Sequence, residues 1–241
     1  MKTGIGIWDD MAKSFHALSS KSRAHKDKYL IIAKMIIDSN SKNVLDLGCG
    51  SGLLENELIK LGYKGKITAI DGSTEMLKIA KKLCGDRVDF KQIDLEDDFD
   101  INEKFDVVVV INVLFFIKNK KSFLSKIYNF LSENNSIFIL VNPKPNDEAN
   151  NWEFIKAHFS NTTLKDKLLI ALNEIINIPR YFRMVKSQSY LSKMANQGLI
   201  VFDDKESIKN VICSEKFNIE KIEDIHAGQN WLLIMRKSQC K

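Results

Sequence analysis

Val44-Leu45-Asp46-Leu47-Gly48-Cys49-Gly50-Ser51-Gly52 reads as a short buried strand that stops abruptly in three glycines spaced G-x-G-x-G, with a helix to follow. Glycine serves where the backbone turns with positive φ, or where a ligand must approach the main chain without meeting a Cβ. A strand that feeds such a loop and then a helix N-terminus is the first unit of a nucleotide-type α/β fold.

The sequence on either side repeats the theme. Asp71 ends a second apolar run, Lys66-Ile67-Thr68-Ala69-Ile70-Asp71, roughly twenty residues past the loop, where an acid would meet a ribose. Asp94 ends a third, Val88-Asp89-Phe90-Lys91-Gln92-Ile93-Asp94. Further strands are predicted at 43–47, 66–70, 88–93, 105–111 and 136–141. The run at 105–111 is continuously apolar, as expected where helices cover both faces of a sheet. Between them lie helices predicted at 24–39, 52–61, 74–84 and 120–131. The first places Tyr29, Ile32, Ala33, Ile36 and Ile37 on one face, and the last does so with Phe123, Leu124, Ile127, Phe130 and Leu131. Ser73 or Thr74 would cap the helix at 74–84.

After Pro143 and Pro145 the rhythm breaks. Leu168, Leu172, Ile175 and Ile176 recur at helical spacing, and Pro179 opens or bends a helix holding Tyr181, Phe182 and Met184. A helix over 206–214 and two strands at 216–225 and 230–235 finish the chain.

Residues 43–141 resemble the core of the class I S-adenosylmethionine-dependent methyltransferases. The matching pieces are VLDLGCGSG at 44–52, IDGSTEML at 70–77, Ile93-Asp94-Leu95 and FDVVVVINVLFFI at 105–117. The resemblance implies a Rossmann-like, mostly parallel seven-stranded sheet with helices on both faces and an antiparallel last strand. It also implies a helical insertion after the fifth strand. One domain over 1–241 would comprise a helical cap at 1–40, a cofactor-binding core at 41–142, a lid at 143–204 and a C-terminal helix and strands at 205–241.

It implies S-adenosylmethionine as cofactor. The loop of Gly48, Cys49 and Gly50 would admit its methionine portion, with the helix N-terminus favouring the carboxylate. Asp46 would answer the ammonium and Asp71, followed by Gly72, the ribose diol. Asp94 would take the adenine amino group, flanked by Leu95 with Met76 packed on the base. Asn112 would lie near the methionine ammonium. Each position has a plain structural reading as well: strand-ending turns for the acids and Asn112, core packing for Met76.

In-line transfer needs a general base only if the acceptor arrives protonated, and histidine is the usual residue. His16, His25, His158 and His226 are the candidates. His16 is the most suggestive, because the segment with Trp8, Phe15 and His16 would fold over the cofactor in this family. No catalytic residue is assigned.

The chain carries a net charge of +5, with lysines spread along it. Such lysines ordinarily form solvated surface, so a nucleic-acid stripe is not indicated. Cysteines at 49, 84, 213 and 240 match no metal motif, and no apolar run reaches the length of a membrane span. The expected setting is a reducing cytoplasm, without metal, with a homodimer compatible. Within the family, Asn112-Val113-Leu114 is unlike an Asn-Pro-Pro-Tyr element and no Pro-Cys pair offers a covalent nucleophile. A small-molecule O-, N- or C-methyltransferase remains. Two other readings stay open: a nicotinamide-dependent oxidoreductase, whose G-x-G-x-x-G would need glycine at Leu53, and a catalytically silent binding module of the same fold.

Overall fold

A computed structural model of the chain describes residues 4–133, 135–145, 195, 198 and 200–238. Seven strands form one sheet in the order β3-β2-β1-β4-β5-β7-β6. They are β1 (Asn43–Leu47), β2 (Lys66–Asp71), β3 (Asp89–Gln92), β4 (Val107–Ile111), β5 (Ile137–Pro143), β6 (Phe217–Ile225) and β7 (Asn230–Lys237). The first five run parallel, and β7 pairs antiparallel with both β5 and β6. All seven strands and the antiparallel hairpin partner follow the pattern read from the sequence. The third is shorter than expected by one residue at each end, and the fourth by two, because Phe105 makes only an isolated bridge to Leu131.

The described helices are α1 (Gly4–Ser19), α2 (Arg23–Asp38), α3 (Leu53–Lys60), α4 (Thr74–Cys84), α5 (Lys120–Phe130) and α6 (Lys205–Ser214). Every residue of β4 is buried, since both sheet faces are covered. One core cluster joins β4 and β5 to Phe123, Leu124 and Ile127 of α5 and to Ile208 and Ile212 of α6. The other joins the opposite sheet face to Ile32 and Ile36 of α2, Leu54 and Leu58 of α3, and Leu77 of α4. Ser73, rather than Thr74, caps α4 by accepting the Met76 N–H at 3.1 Å.

The strand order reverses between β1 and β4, which opens a crevice at their carboxyl ends, where such sheets bind ligands. Lys28 departs from the expected solvated lysines. It continues the Ile32 and Ile36 stripe of α2 by one turn and is only 1% exposed. The helices expected around Leu168 to Ile176 and after Pro179, most of the 143–204 insertion, His158 and Cys240 lie outside the described residues.

Candidate active site

The glycine loop is held from below and open above. Gly48 and Cys49 both donate their N–H to the Ile70 carbonyl, at 2.7 and 3.0 Å. Gly48 has φ +85° and packs so closely that a Cβ would lie 2.2 Å from Val113 Cγ2. Gly50, at φ +54°, is the reverse: a Cβ there would meet nothing within 4 Å. One glycine is demanded by packing, and the other leaves room above the loop.

Asp71 ties the loop to β2. Its Oδ2 accepts the Gly50 N–H at 2.8 Å and its Oδ1 accepts the Ser73 N–H at 2.8 Å. Burial raises its pKa, and the two N–H bonds work against that rise. Each oxygen keeps a lone pair for a further donor. Gly72 is roofed by Ile5 of α1, whose Cδ1 would stand 2.8 Å from an added Cβ. Met76 is buried in the first turn of α4.

Asp94 sits one strand over and follows Ile93, whose N–H donates to the Asp71 backbone carbonyl at 3.2 Å. Its Oδ1 accepts the Glu96 N–H at 3.0 Å, an Asx turn that leaves the second oxygen for another donor. Leu95 packs against the core cluster beneath. Asn112 closes β4 in a left-handed conformation, φ +56°, with its Oδ1 accepting from Asn230 Nδ2 at 2.8 Å. The carboxyl ends of β1 to β4 thus gather Asp46, the loop, Asp71, Gly72, Met76, Asp94, Leu95 and Asn112.

Asp46 has a companion that the sequence reading missed. Asp46 is 2% exposed and Glu55, in the first turn of α3, is 0% exposed. Among the described residues no donor N–H or O–H reaches Asp46 Oδ1 or either Glu55 oxygen. The negative charge of Glu55 is one of the causes that raise Asp46, so the two titrate as a pair. Burial is the main cause that lifts both above the usual carboxylate range, Glu55 to about 7.

α1 lies across this gathering. Asp9 Oδ1 accepts from Ser73 Oγ at 2.6 Å and from the Glu75 N–H at 3.1 Å, so an α1 carboxylate sits on the N-terminus of α4. His16 Nδ1 is 3.0 Å from Ser51 Oγ in the glycine loop, and burial lowers its pKa. Among the described residues no cluster of three or more His, Cys, Asp or Glu could hold a metal, and no helix is long and apolar enough to cross a membrane. A cavity of about 370 Å³ is lined by Phe115, Ile117, Lys120 and Val201, with no glycine-loop residue among its lining.

Sheet order, glycine loop and strand-end acids define a nucleotide-type α/β domain of the methyltransferase kind. A family model described as a methyltransferase domain matches residues 38–199, and the chain belongs to that family. The 235L protein of Invertebrate iridescent virus 6, named as a methyltransferase, is 32% identical over 143 residues, covering 58% of this chain and 50% of the relative. A ubiquinone biosynthesis O-methyltransferase of Glaesserella parasuis serovar 5 (strain SH0165) is 31% identical over 106 residues, 41% of this chain and 44% of the relative. The chain spans about half the length of these relatives. Among solved structures, the complex of DhpI with S-adenosylhomocysteine (SAH) superposes with a TM-score of 0.62 at 16% identity, covering 98% of this chain and 96% of that one.

Proposed function

We propose that this chain binds S-adenosylmethionine and transfers its methyl group, by in-line displacement, to a small-molecule acceptor, and that the atom methylated is a hydroxyl oxygen. The observation that carries the reading is the unpartnered, buried Asp46 oxygen beneath a glycine loop with open space above Gly50. A cationic amino group is the natural partner for such a carboxyl. Asp46 then meets the methionine ammonium with Asn112 beside it, while Gly48, Cys49 and Gly50 line the methionine portion. Asp71, with Gly72, holds the ribose diol. Asp94 holds the adenine amino group, and Leu95 and Met76 flank the base.

The choice of oxygen is supported by the O-methyltransferase named among the relatives. Rings of Trp8, Phe15 and Phe116 meet edge to face above the end of β4, a surface suited to an apolar or aromatic acceptor. Alignment of acceptor and sulfonium supplies much of the rate, an effect that reaches ~7–11 kcal/mol in well-oriented systems. Calorimetric titration with SAH, run beside NADH, tests the reading. Micromolar SAH binding with silent NADH is expected; binding of NADH alone overturns the reading in favour of an oxidoreductase.

A further inference from the structure

A hydrogen-bonded chain of four side chains leads away from Asn112 into the α2 side of the crevice. Asn230 Nδ2 donates to Asn112 Oδ1 at 2.8 Å; Asn230 Oδ1 lies 2.6 Å from His226 Nδ1; His226 Nε2 lies 3.3 Å from His25 Nδ1. Its direction fixes both tautomers. Asn230 Oδ1 is an acceptor, so His226 Nδ1 carries the hydrogen and its Nε2 is a lone pair. His25 Nδ1–H must then donate to that lone pair, which leaves His25 Nε2 bare. None of the described residues hydrogen-bonds to this nitrogen. Asn112, His226 and Ala227 all take positive φ to build the arrangement, backbone strain of the kind that gathers at functional sites.

A second set of contacts ties His25 to the aromatic surface. Phe116 meets Trp8 at 5.7 Å between ring centroids, Trp8 meets Phe15 at 5.5 Å, Phe15 meets His25 at 6.4 Å and His25 meets His226 at 4.3 Å. The bare nitrogen therefore belongs to the ring that ends the aromatic wall, beside the carboxyl ends of β4 and β5.

We infer that His25, oriented by His226 and the two asparagines, accepts the proton of a hydroxyl-bearing, aromatic methyl acceptor. The inference rests on the methyl-transfer reading and deepens it. As the acceptor oxygen bonds to the methyl carbon, the carbon–sulfur bond breaks and its electron pair stays on sulfur, giving SAH. The hydroxyl proton passes to His25 Nε2 and afterwards to solvent. His25 is the catalytic residue in this step and His226 a positioning residue.

The groups acting on the pair keep both rings unprotonated at neutral pH, so the Nε2 lone pair is present when the acceptor arrives. Burial first, then Lys28 and the facing imidazole, hold His25 well below its ordinary value; burial and Lys28 depress His226 to about 3, against the bond to Asn230. Both rings are consequently neutral. Phe15 is the uncharged neighbour from α1.

The test joins a tautomer measurement to a pH profile. ¹⁵N-histidine NMR of the full chain, assigned with His25→Gln and His226→Gln, should show hydrogen on Nδ1 and none on Nε2 in both rings. Hydrogen on His25 Nε2 reverses the chain and overturns the inference. Methyl transfer to a panel of catechols and simple phenols is then followed from pH 5 to 10. His25→Gln should bind SAH within twofold of wild type, lose about 100-fold in rate at pH 7, and recover as the phenol itself ionises. An unaltered rate and profile in His25→Gln overturns it. Wild-type chain that binds SAH but methylates no phenol overturns the hydroxyl acceptor; wild-type chain that binds no SAH overturns the methyl-transfer reading beneath it.

Discussion

Gly50 gives its backbone N–H to Asp71 Oδ2 at 2.8 Å, so the tip of the glycine loop is fastened to the end of the neighbouring strand. The acid thus shapes the loop as well as offering lone pairs to a diol. Asp71→Ala removes both effects and should weaken SAH binding by about 2–3 kcal/mol, the scale of a lost pair of charge-assisted hydrogen bonds. Asp71→Asn keeps one acceptor and should fall between. Calorimetry that finds equal affinity in all three chains removes Asp71 from the cofactor site.

Gly48 and Gly50 predict opposite kinds of damage. An alanine at Gly48 meets Val113 Cγ2 at 2.2 Å and must hold φ +85°, so Gly48→Ala should cost about 2–4 kcal/mol of stability. Adding Val113→Ala should return the steric part and leave the backbone part. At Gly50 a Cβ finds open space, so Gly50→Ala should cost only about 1 kcal/mol yet reduce SAH affinity, because the proposed methionine site lies on that side. Urea denaturation read beside calorimetry separates the two. Comparable stability losses would show that the loop packs differently from this description.

Lys28 is buried at 1% exposure, and among the described residues no carboxylate lies within ion-pair distance of it; its ammonium sits 4.7 Å from the Tyr29 ring centroid. Burial lowers its pKa from 10.5 to about 7. Between those values the unfolded chain binds more protons than the folded one, so this group makes stability rise as pH rises from about 7 to 10.5. Below that window the penalty is present in full. Lys28→Met should therefore stabilise the fold by about 3 kcal/mol at pH 7, with the advantage shrinking as pH approaches 10.5. A gain independent of pH, or a loss, would show that the ammonium has a partner in the folded chain.

The sheet was legible because burial on both faces leaves little freedom: Val107 to Ile111 can hardly be anything but a central strand. The glycine loop and its tie to β2 were legible for a related reason. Gly48, Gly50 and Asp71 act through backbone geometry and short-range bonds, and those leave fixed spacings in sequence. What remained hidden depends on distant segments. His25 and His226 are both among the histidine candidates, but 201 positions separate them and nothing in the sequence pairs them, so His16 stood out instead. Asp9 on the α4 terminus and Ile5 over Gly72 hide similarly, since nothing in α1 names its partner. Lys28 is different. Its spacing from Ile32 and Ile36 put it on the apolar face, and only the habit of treating lysine as solvated obscured it.

Glu55 supplies the sharpest pH test of the site. A carboxyl whose folded pKa is raised, here from 4.5 to about 7 by burial beside Asp46, is protonated in the folded chain while already ionised in the unfolded one. The folded chain binds more protons across that window, so stability falls as pH rises through it and stays lower above. Glu55→Gln removes the titrating group and gives Asp46 a permanent donor. Its stability relative to wild type should climb by about 2–3 kcal/mol between pH 4.5 and 8. The same exchange reads out the role proposed for Asp46. In wild type an ammonium arriving at Asp46 favours the ionised form of the pair and drives a proton off it, so SAH affinity should rise from pH 6 to 8 and proton release should accompany binding. In Glu55→Gln both effects should vanish. Calorimetry in two buffers of different ionisation enthalpy measures the protons directly; equal proton release in the two chains would place the cofactor's ammonium away from this pair.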